Sequence, residues 1–310
     1  MVWQSPLENL KIKIFKCLAL CFLIKEDFFM QTVGYYNGTL APLDELMIPA
    51  TDRALYFGDG CYDATTFKNN VAFALEDHLD RFYNSCRLLE IEFPLTRSEL
   101  KDKLYQVIDA NESDTGILYW QTSRGSGLRN HLFPEDSQPN LLIFTAPFGL
   151  IPFDAEFKLI SREDTRFLHC NIKTLNLLPN VIASQRAKEA GCQEVVFHRG
   201  ERVTECGHSN ILILKDGVLC TPPRDNLILP GITLKHLLEL AKENNIPTSE
   251  APFTMDDLRA ADEVIVSSSA CLGIRAVELD GQPVGGKDLA TLQVLQQAYA
   301  KKYEADVQSR

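Results

Sequence analysis

From Met30 onward, apolar and polar positions alternate in short runs broken by turn residues, a strand-rich pattern. Tyr35-Tyr36-Asn37-Gly38 carries an Asn-Gly turn signal. Lys68-Asn69-Asn70 predicts another turn, between Thr65-Thr66-Phe67 and Val71-Ala72-Phe73. The period then changes. A helix is predicted from about His78 to Glu90, with Leu79, Phe82, Tyr83, Cys86 and Leu89 as its buried stripe and Arg81 off that stripe. Thr96, with Glu99 three residues on, is a capping-box signature that opens a second helix. Gly116–Ser123 and Asn140–Ala146 are rich in β-formers and read as strands. Between them lies the polar loop Arg124-Gly125-Ser126-Gly127-Leu128-Arg129-Asn130-His131, a natural place for function.

Pro147 to Asp154 has no periodicity and contains Pro147 and Pro152. The chain therefore divides into a small unit over 30–147, a linker over 148–154 and a larger unit over 155–310. In the larger unit a helix is expected near Val181–Ala190, and strands at Glu194–His198, Asn210–Leu214 and Gly217–Thr221. Gly231-Ile232-Thr233 introduces a helix to about Glu243. A strand over Glu263–Ser268 and a helix from Leu289 to about Tyr303 complete the pattern. There is no steady βαβ alternation, no internal repeat, no G-x-G-x-x-G and no P-loop, so α+β layers fit better than a doubly wound sheet.

Composition narrows the class. The chain has 310 residues, enough for one large domain or two moderate ones, and 45% of them are hydrophobic. Asp and Glu number 42 against 31 Lys and Arg, a formal charge of −11. Such a surface disfavours nucleic acid or an anionic membrane as partner, while leaving room for a local basic pocket. None of the nine cysteines forms a C-x-x-C pair, which points to a reducing, cytoplasmic setting rather than a zinc or disulfide framework. At the N-terminus, Lys11, Lys13 and Lys16 precede the apolar run CLALCFLI, Cys17–Ile24. This resembles a signal peptide, but no small-x-small site follows, and the run is far short of the ~20 residues that span a bilayer. The expectation is that Met30 is the natural start and 1–29 an extension; a secreted or anchored protein is the alternative.

Lys173 can be weighed on its own surroundings. It stands in CNIKTLNLL, Cys170–Leu178, a segment rich in apolar residues. It could snorkel to water, or serve as a Schiff-base lysine whose amine burial helps to deprotonate. Glu205 could be a solvated strand end, and Arg81 a solvated helix residue. Gly231-Ile232-Thr233 at a helix start offers amides and a hydroxyl to an anion. Arg129 and His131 could be exposed loop residues, though a guanidinium matches a carboxylate in two-point geometry.

Five strings decide among these: Phe57-Gly58-Asp59-Gly60-Cys61-Tyr62-Asp63, His78-Leu79-Asp80-Arg81, Asn171-Ile172-Lys173-Thr174-Leu175-Asn176, Val203-Thr204-Glu205-Cys206 and Leu229-Pro230-Gly231-Ile232-Thr233. In this order and spacing the chain resembles the fold-type IV pyridoxal-phosphate enzymes, or class IV aminotransferases, closest to the D-amino acid aminotransferases. The resemblance implies an α+β fold of two domains, a small N-terminal α/β one and a larger α/β-barrel-like one. It implies pyridoxal 5'-phosphate as cofactor, with Lys173 bonding its aldehyde and shuttling a proton, and Glu205 facing its ring nitrogen. Leu229 would pack on the ring. Arg81, Ile232, Thr233 and Ser269 would hold the phosphate, with Ser268 adjoining. Tyr62, Arg129 and His131 would trap the substrate carboxylate, the loop of Arg129 and His131 crossing the interface of a homodimer. His208 departs from the family pattern, where a small hydroxyl residue stands. A branched-chain L-aminotransferase or an aminodeoxychorismate lyase of the same fold, and a binding protein that has lost its cofactor, are the alternatives. The Arg129-x-His131 pair favours the D-amino acid aminotransferases over the first two.

Overall fold

The computed structural model describes residues 32–308, so the expectations about 1–29 lie outside the described residues. Two sheets organise them. The first has six strands: β1 (Val33–Tyr36), β2 (Thr39–Pro42), β3 (Gly60–Lys68), β4 (Val71–Ala72), β5 (Gly116–Ser123) and β6 (Asn140–Ala146), ordered β2-β1-β6-β5-β3-β4 and antiparallel throughout. Both turns expected from the sequence are present: Asn37 and Gly38, then Asn69 and Asn70, all take positive φ, as two-residue hairpins require. One face of this sheet packs on α2 (Leu75–Leu88) and α3 (Arg97–Asp109), around Phe82, Leu100, Leu104, Ile108, Leu118 and Trp120. The short α1 (Arg53–Phe57) precedes β3.

Helix α2 begins three residues earlier than periodicity suggested, because Glu76 and Asp77 favour the positive end of the helix dipole. The capping box of α3 is formed in both directions: Thr96 accepts from the Glu99 amide, and the Glu99 carboxylate accepts from Thr96.

The second sheet holds nine strands: β7 (Glu156–Glu163), β8 (Glu194–Arg199), β9 (Arg202–Cys206), β10 (Asn210–Lys215), β11 (Val218–Thr221), β12 (Thr248–Glu250), β13 (Glu263–Ser267), β14 (Leu272–Leu279) and β15 (Gln282–Pro283). Their order is β12-β11-β10-β13-β14-β7-β8-β9, with β15 on β14. The β14–β7, β7–β8 and β11–β12 pairs are parallel. Five strand spacings, roughly 24 Å, would separate β9 from β10 if this sheet were flat. The connection Gly207–Ser209 reaches about 14 Å at most. The sheet therefore curls until its edge meets β10. Helices α4 (Leu178–Glu189), α5 (Ile232–Glu243), α6 (Met255–Ala260) and α7 (Leu289–Asp306) cover it.

Strands β7, β9, β12, β14 and β15 and helix α6 were not anticipated. In β7 the signal was present: Phe157 and Leu159 are buried between exposed Glu156 and Lys158, a period of two. No helix among the described residues is long and apolar enough to cross a membrane.

Candidate active site

A cavity of about 590 Å³ opens between the sheets. It is lined by Tyr62 and Ala64 of β3, by the Lys173 segment, by α4, by the β9–β10 turn and by the start of α5. Alternation along β3 sends Tyr62 and Ala64 to the cavity face and Asp63 to the opposite face, where α2 packs. The segment carrying Lys173 is strapped to the first sheet by its backbone. The Tyr62 amide donates to the Lys173 carbonyl at 3.0 Å and the Leu175 amide to the Gly60 carbonyl at 3.1 Å, with a bridge between Cys61 and Thr174. The Lys173 side chain is half-buried, and its Nζ lies 4.2 Å from the centre of the Tyr62 ring.

Asn176 ties this segment to the turn before β3, donating from Nδ2 to the Gly58 carbonyl at 2.9 Å. Gly58 caps α1 in the left-handed region, φ 60°, where a side chain would be strained and would meet Asn176.

Glu205 is the last residue but one of β9 and is buried, not a solvated strand end. Its Oε2 accepts from the Leu229 amide at 2.9 Å and from Asn210 Nδ2 at 3.2 Å; its Oε1 accepts from Arg166 Nη1. Burial pushes the Glu205 carboxyl up to about 7, against the Arg166 guanidinium. Between 4.5, its ordinary value, and about 7, the folded protein thus keeps a proton that the unfolded chain has released. Raising the pH through that window costs stability. For protein stripped of small ligands, wild type should lose up to roughly 3 kcal/mol relative to Glu205→Gln between about pH 5 and pH 8. Denaturant unfolding at the two pH values measures this, and parallel curves for the two proteins would refute it.

Arg166 was missed by the sequence reading. Its guanidinium makes a two-point contact with Asp164, at 2.9 Å for both Nε and Nη2, and lies over the Phe197 ring. Asp164 also accepts from Thr204 Oγ1 at 3.0 Å and from Arg199 Nε at 3.2 Å. Asp164-x-Arg166 directly follows β7, so the overlooked strand hid the pair.

Arg81 is not the solvated helix residue its position off the apolar stripe suggested. It is buried, donating to Asp63 from Nε at 2.9 Å and from Nη2 at 2.7 Å. His78 Nδ1 lies 2.7 Å from the same carboxylate. Burial alone would raise the Asp63 carboxyl, yet Arg81 and His78 outweigh it and hold Asp63 far below the usual range. Burial lowers His78, and the neutral ring donates from Nδ1 because a carboxylate only accepts. Asp63 was within a recognised string, but its partners come from another element.

Arg81 Nη1 also reaches the Pro230 carbonyl, at 3.5 Å, beside the N-terminus of α5. Gly231 caps that helix without a side-chain bond, leaving the first-turn amides to another acceptor. A Cβ at Gly231 would sit 2.0 Å from Asn210 Oδ1, so only glycine lets Asn210 bridge Glu205 and the Leu229 carbonyl. Asp77 clamps the same helix to α2 through His236 at 2.7 Å and Lys235 at 2.6 Å. Ile232 and Thr233 are buried here, and Leu229, Ser268 and Ser269 line the cavity with them. Ser267 Oγ, also on the lining, is buried with no hydrogen-bond partner.

Arg129 and His131 do not join this chain's own cavity. Both are exposed, and they gather on Phe57: the Arg129 guanidinium is 5.1 Å from its ring centre and the His131 ring 5.2 Å. The loop is anchored from beneath. Arg53 donates to the Asn130 carbonyl at 2.8 Å and to Asp59 at 2.7 Å, and Asp59 accepts in turn from Arg124 at 3.1 Å. Arg124, read as part of a functional loop, is buried and binds the Leu89 and Glu90 carbonyls at the end of α2.

The cavity thus joins a buried cation, hydroxyls and free helix amides at one end, an amine in the middle, and a buried carboxylate. Among the described residues no His, Cys, Asp and Glu cluster could hold a metal ion. Residues 60–278 match the Amino-transferase class IV family. D-alanine aminotransferase of Listeria monocytogenes serotype 1/2a (strain 10403S) is 39% identical over 254 residues, 80% of this chain and 88% of that protein. D-alanine aminotransferase of Staphylococcus aureus (strain MSSA476) is 37% identical over 276 residues, 87% and 98% of the two. The structure of the branched-chain amino acid aminotransferase of Escherichia coli superposes with a TM-score of 0.81 at 22% identity, covering 90% of this chain and 97% of that one. The branched-chain aminotransferase of Thermoproteus uzoniensis gives 0.79 at 24% identity, covering 89% and 97%. With two sheets arranged as in those neighbours and a family match over most of its length, the chain belongs to the class IV aminotransferases and has the fold-type IV architecture.

Proposed function

We propose that the protein is a D-amino acid aminotransferase that uses pyridoxal 5'-phosphate to move the amino group of a D-amino acid such as D-alanine to a 2-oxo acid such as 2-oxoglutarate. The observation that carries this reading is the meeting of Lys173, Glu205 and the Arg81–Thr233 anion end in one cavity. That donor set fits the cofactor: Arg81, Ile232, Thr233, Ser268 and Ser269, with the partnerless hydroxyl of Ser267, suit a phosphate. Glu205 suits a ring nitrogen, and Leu229 lies beside it. When bound, pyridoxal phosphate supplies an aldehyde carbon for the amine and a ring that takes up electrons from the substrate Cα bond.

This chain's residues supply the rest. Asp63 holds Arg81 rigid toward the anion end. Arg166 and Asn210 fix the Glu205 carboxylate, and the two-point Asp164 contact fixes Arg166. Lys173 takes the Cα proton as general base and returns it as general acid. Tyr62 stands under its amine, on the side where a substrate carboxylate would lie. Two half-reactions sharing one site predict ping-pong kinetics.

Arg129 and His131 complete the carboxylate trap from a second copy of the chain. Leu128, Leu132 and Phe133 of the same loop and Leu55 of α1 are exposed, and apolar side chains left to solvent in this way suit association. Mixing inactive Lys173→Ala and Arg129→Ala proteins should therefore restore about a quarter of wild-type activity, through hybrid dimers with one intact site. Absence of complementation would place the trap within one chain. The seven described cysteines are free thiols, in keeping with a reducing compartment such as the cytoplasm.

The reading is tested by transamination of paired D- and L-alanine with 2-oxoglutarate. Turnover of D-alanine is expected. Turnover of L-leucine without D-alanine would make it a branched-chain enzyme instead.

A further inference from the structure

His208 occupies the tip of the β9–β10 connection and lines the cavity, with 61% of its side chain exposed. Its Nδ1 is 3.0 Å from Glu194 Oε2, and Glu194 is fully buried at the start of β8. That carboxylate has its other contacts filled. It accepts from Ser209 Oγ at 2.9 Å, from the Val195 amide at 2.9 Å and from the Gly207 amide at 3.1 Å. Burial would raise Glu194, but the His208 charge and these donors hold it low. The Glu194 charge in turn raises His208 above its ordinary value.

When protonated, a His208 tied at Nδ1 to Glu194 has one donor left, Nε2–H, and no acceptor. The groove beside it belongs to α4: Asn180 Nδ2 donates to the Gly207 carbonyl at 2.7 Å, and Gln185 and Lys188 of that helix also line the cavity. The charge balance of the cavity is unusual for a chain this acidic. Arg81, Arg166, Lys173, Lys188 and His208 line it, and among the described residues Glu205 is the one lining acid. Asp63 already satisfies part of Arg81, and Asp164 with Glu205 satisfies Arg166. A phosphate at the α5 end and an α-carboxylate at Tyr62 would bring no anion to the Nε2 side of His208, the side turned away from Glu194. Alanine or pyruvate supplies none.

We propose that His208, braced by Glu194, binds the distal carboxylate of a dicarboxylic amino acid or 2-oxo acid and gives the enzyme a preference for acidic substrates. This rests on the transaminase reading above and adds to it a residue that determines specificity. The five-carbon acids glutamate and 2-oxoglutarate, and the four-carbon acids aspartate and oxaloacetate, share the chemistry; comparing the two lengths identifies the better fit.

The test uses the holoenzyme and two unreactive probes, glutarate and butyrate, which differ by one carboxylate. Calorimetry should show glutarate bound about tenfold or more tighter than butyrate, as a charge-assisted hydrogen bond would give. His208→Ser should remove most of that difference and lower the ratio of kcat/KM for D-glutamate over D-alanine about tenfold. His208→Lys, which restores the charge, should recover part of both. If His208→Ser does not fold, His208→Gln, with a donor but no charge, decides the same comparison. An unchanged glutarate preference, or an equal loss for both acids, overturns the proposal. Turnover of L-leucine without D-alanine would sink the D-specific reading instead, and the glutarate comparison would still decide the role of His208.

Discussion

Replacing Lys173 with alanine should lower transamination about 10⁴-fold, the upper range for loss of a positioned proton-transfer group, with loss of the nucleophile added to it. The side chain takes no part in the bonds that hold its segment in place. The Lys173 backbone does that, with its carbonyl accepting from Tyr62 and its amide facing Ser85 Oγ at 3.4 Å. Alanine keeps both contacts, so the thermal midpoint should move by only a few degrees while turnover collapses. Borohydride reduction followed by peptide mass analysis should label position 173 in wild type and leave the variant unlabelled. A variant that retains more than about a hundredth of wild-type turnover would remove Lys173 from the chemistry.

Replacing Asp63 with alanine should act on stability instead. It strands the buried Arg81 guanidinium and takes the acceptor from His78, a loss of about 3–5 kcal/mol for a broken buried ion pair. Because the Asp63 carboxyl is held far below its ordinary value, its contribution is complete above about pH 4 and fades only as the pH falls through the lowered value. The penalty should therefore not shrink between pH 8 and pH 5, and any growth toward pH 5 comes from His78, which loses the carboxylate that favours its charged form. Denaturant unfolding at both pH values checks this. A loss below about 1 kcal/mol would mean that Arg81 finds another partner. Affinity for inorganic phosphate should fall with stability, because Arg81 swings free of the α5 end.

Elements whose own residues dictate them were legible. The span of β5 and β6, the Asn-Gly and Asn-Asn turns and the capping box of α3 follow from neighbours in sequence, and each was read from them; the pairing of the strands was not. The site was legible as strings: Lys173, Glu205, Tyr62, Leu229, Ile232, Thr233, Ser268 and Ser269 share a cavity with Arg81. What each touches was not legible. Arg81 could be read from its helix alone as solvated or as a phosphate ligand, because the stripe of α2 does not include Asp63, which β3 delivers from the other side. Arg166 went unnoticed because its partners, Asp164 and Glu205, meet only after β7 and β9 take their places in the curled sheet.

The sequence alone determined the family and the turn chemistry and singled out Lys173 as the candidate amine, because local dihedral preference and short motifs are properties of adjacent residues. Tertiary structure decided which charges are buried and which are paired. A carboxylate at about 7 and one held far below the usual range, Glu205 and Asp63, look alike in a string of letters. They differ because desolvation and partner charge depend on distance in space; the packing of α2 on the first sheet sets those distances for Asp63, and the curl of the second sheet sets them for Glu205.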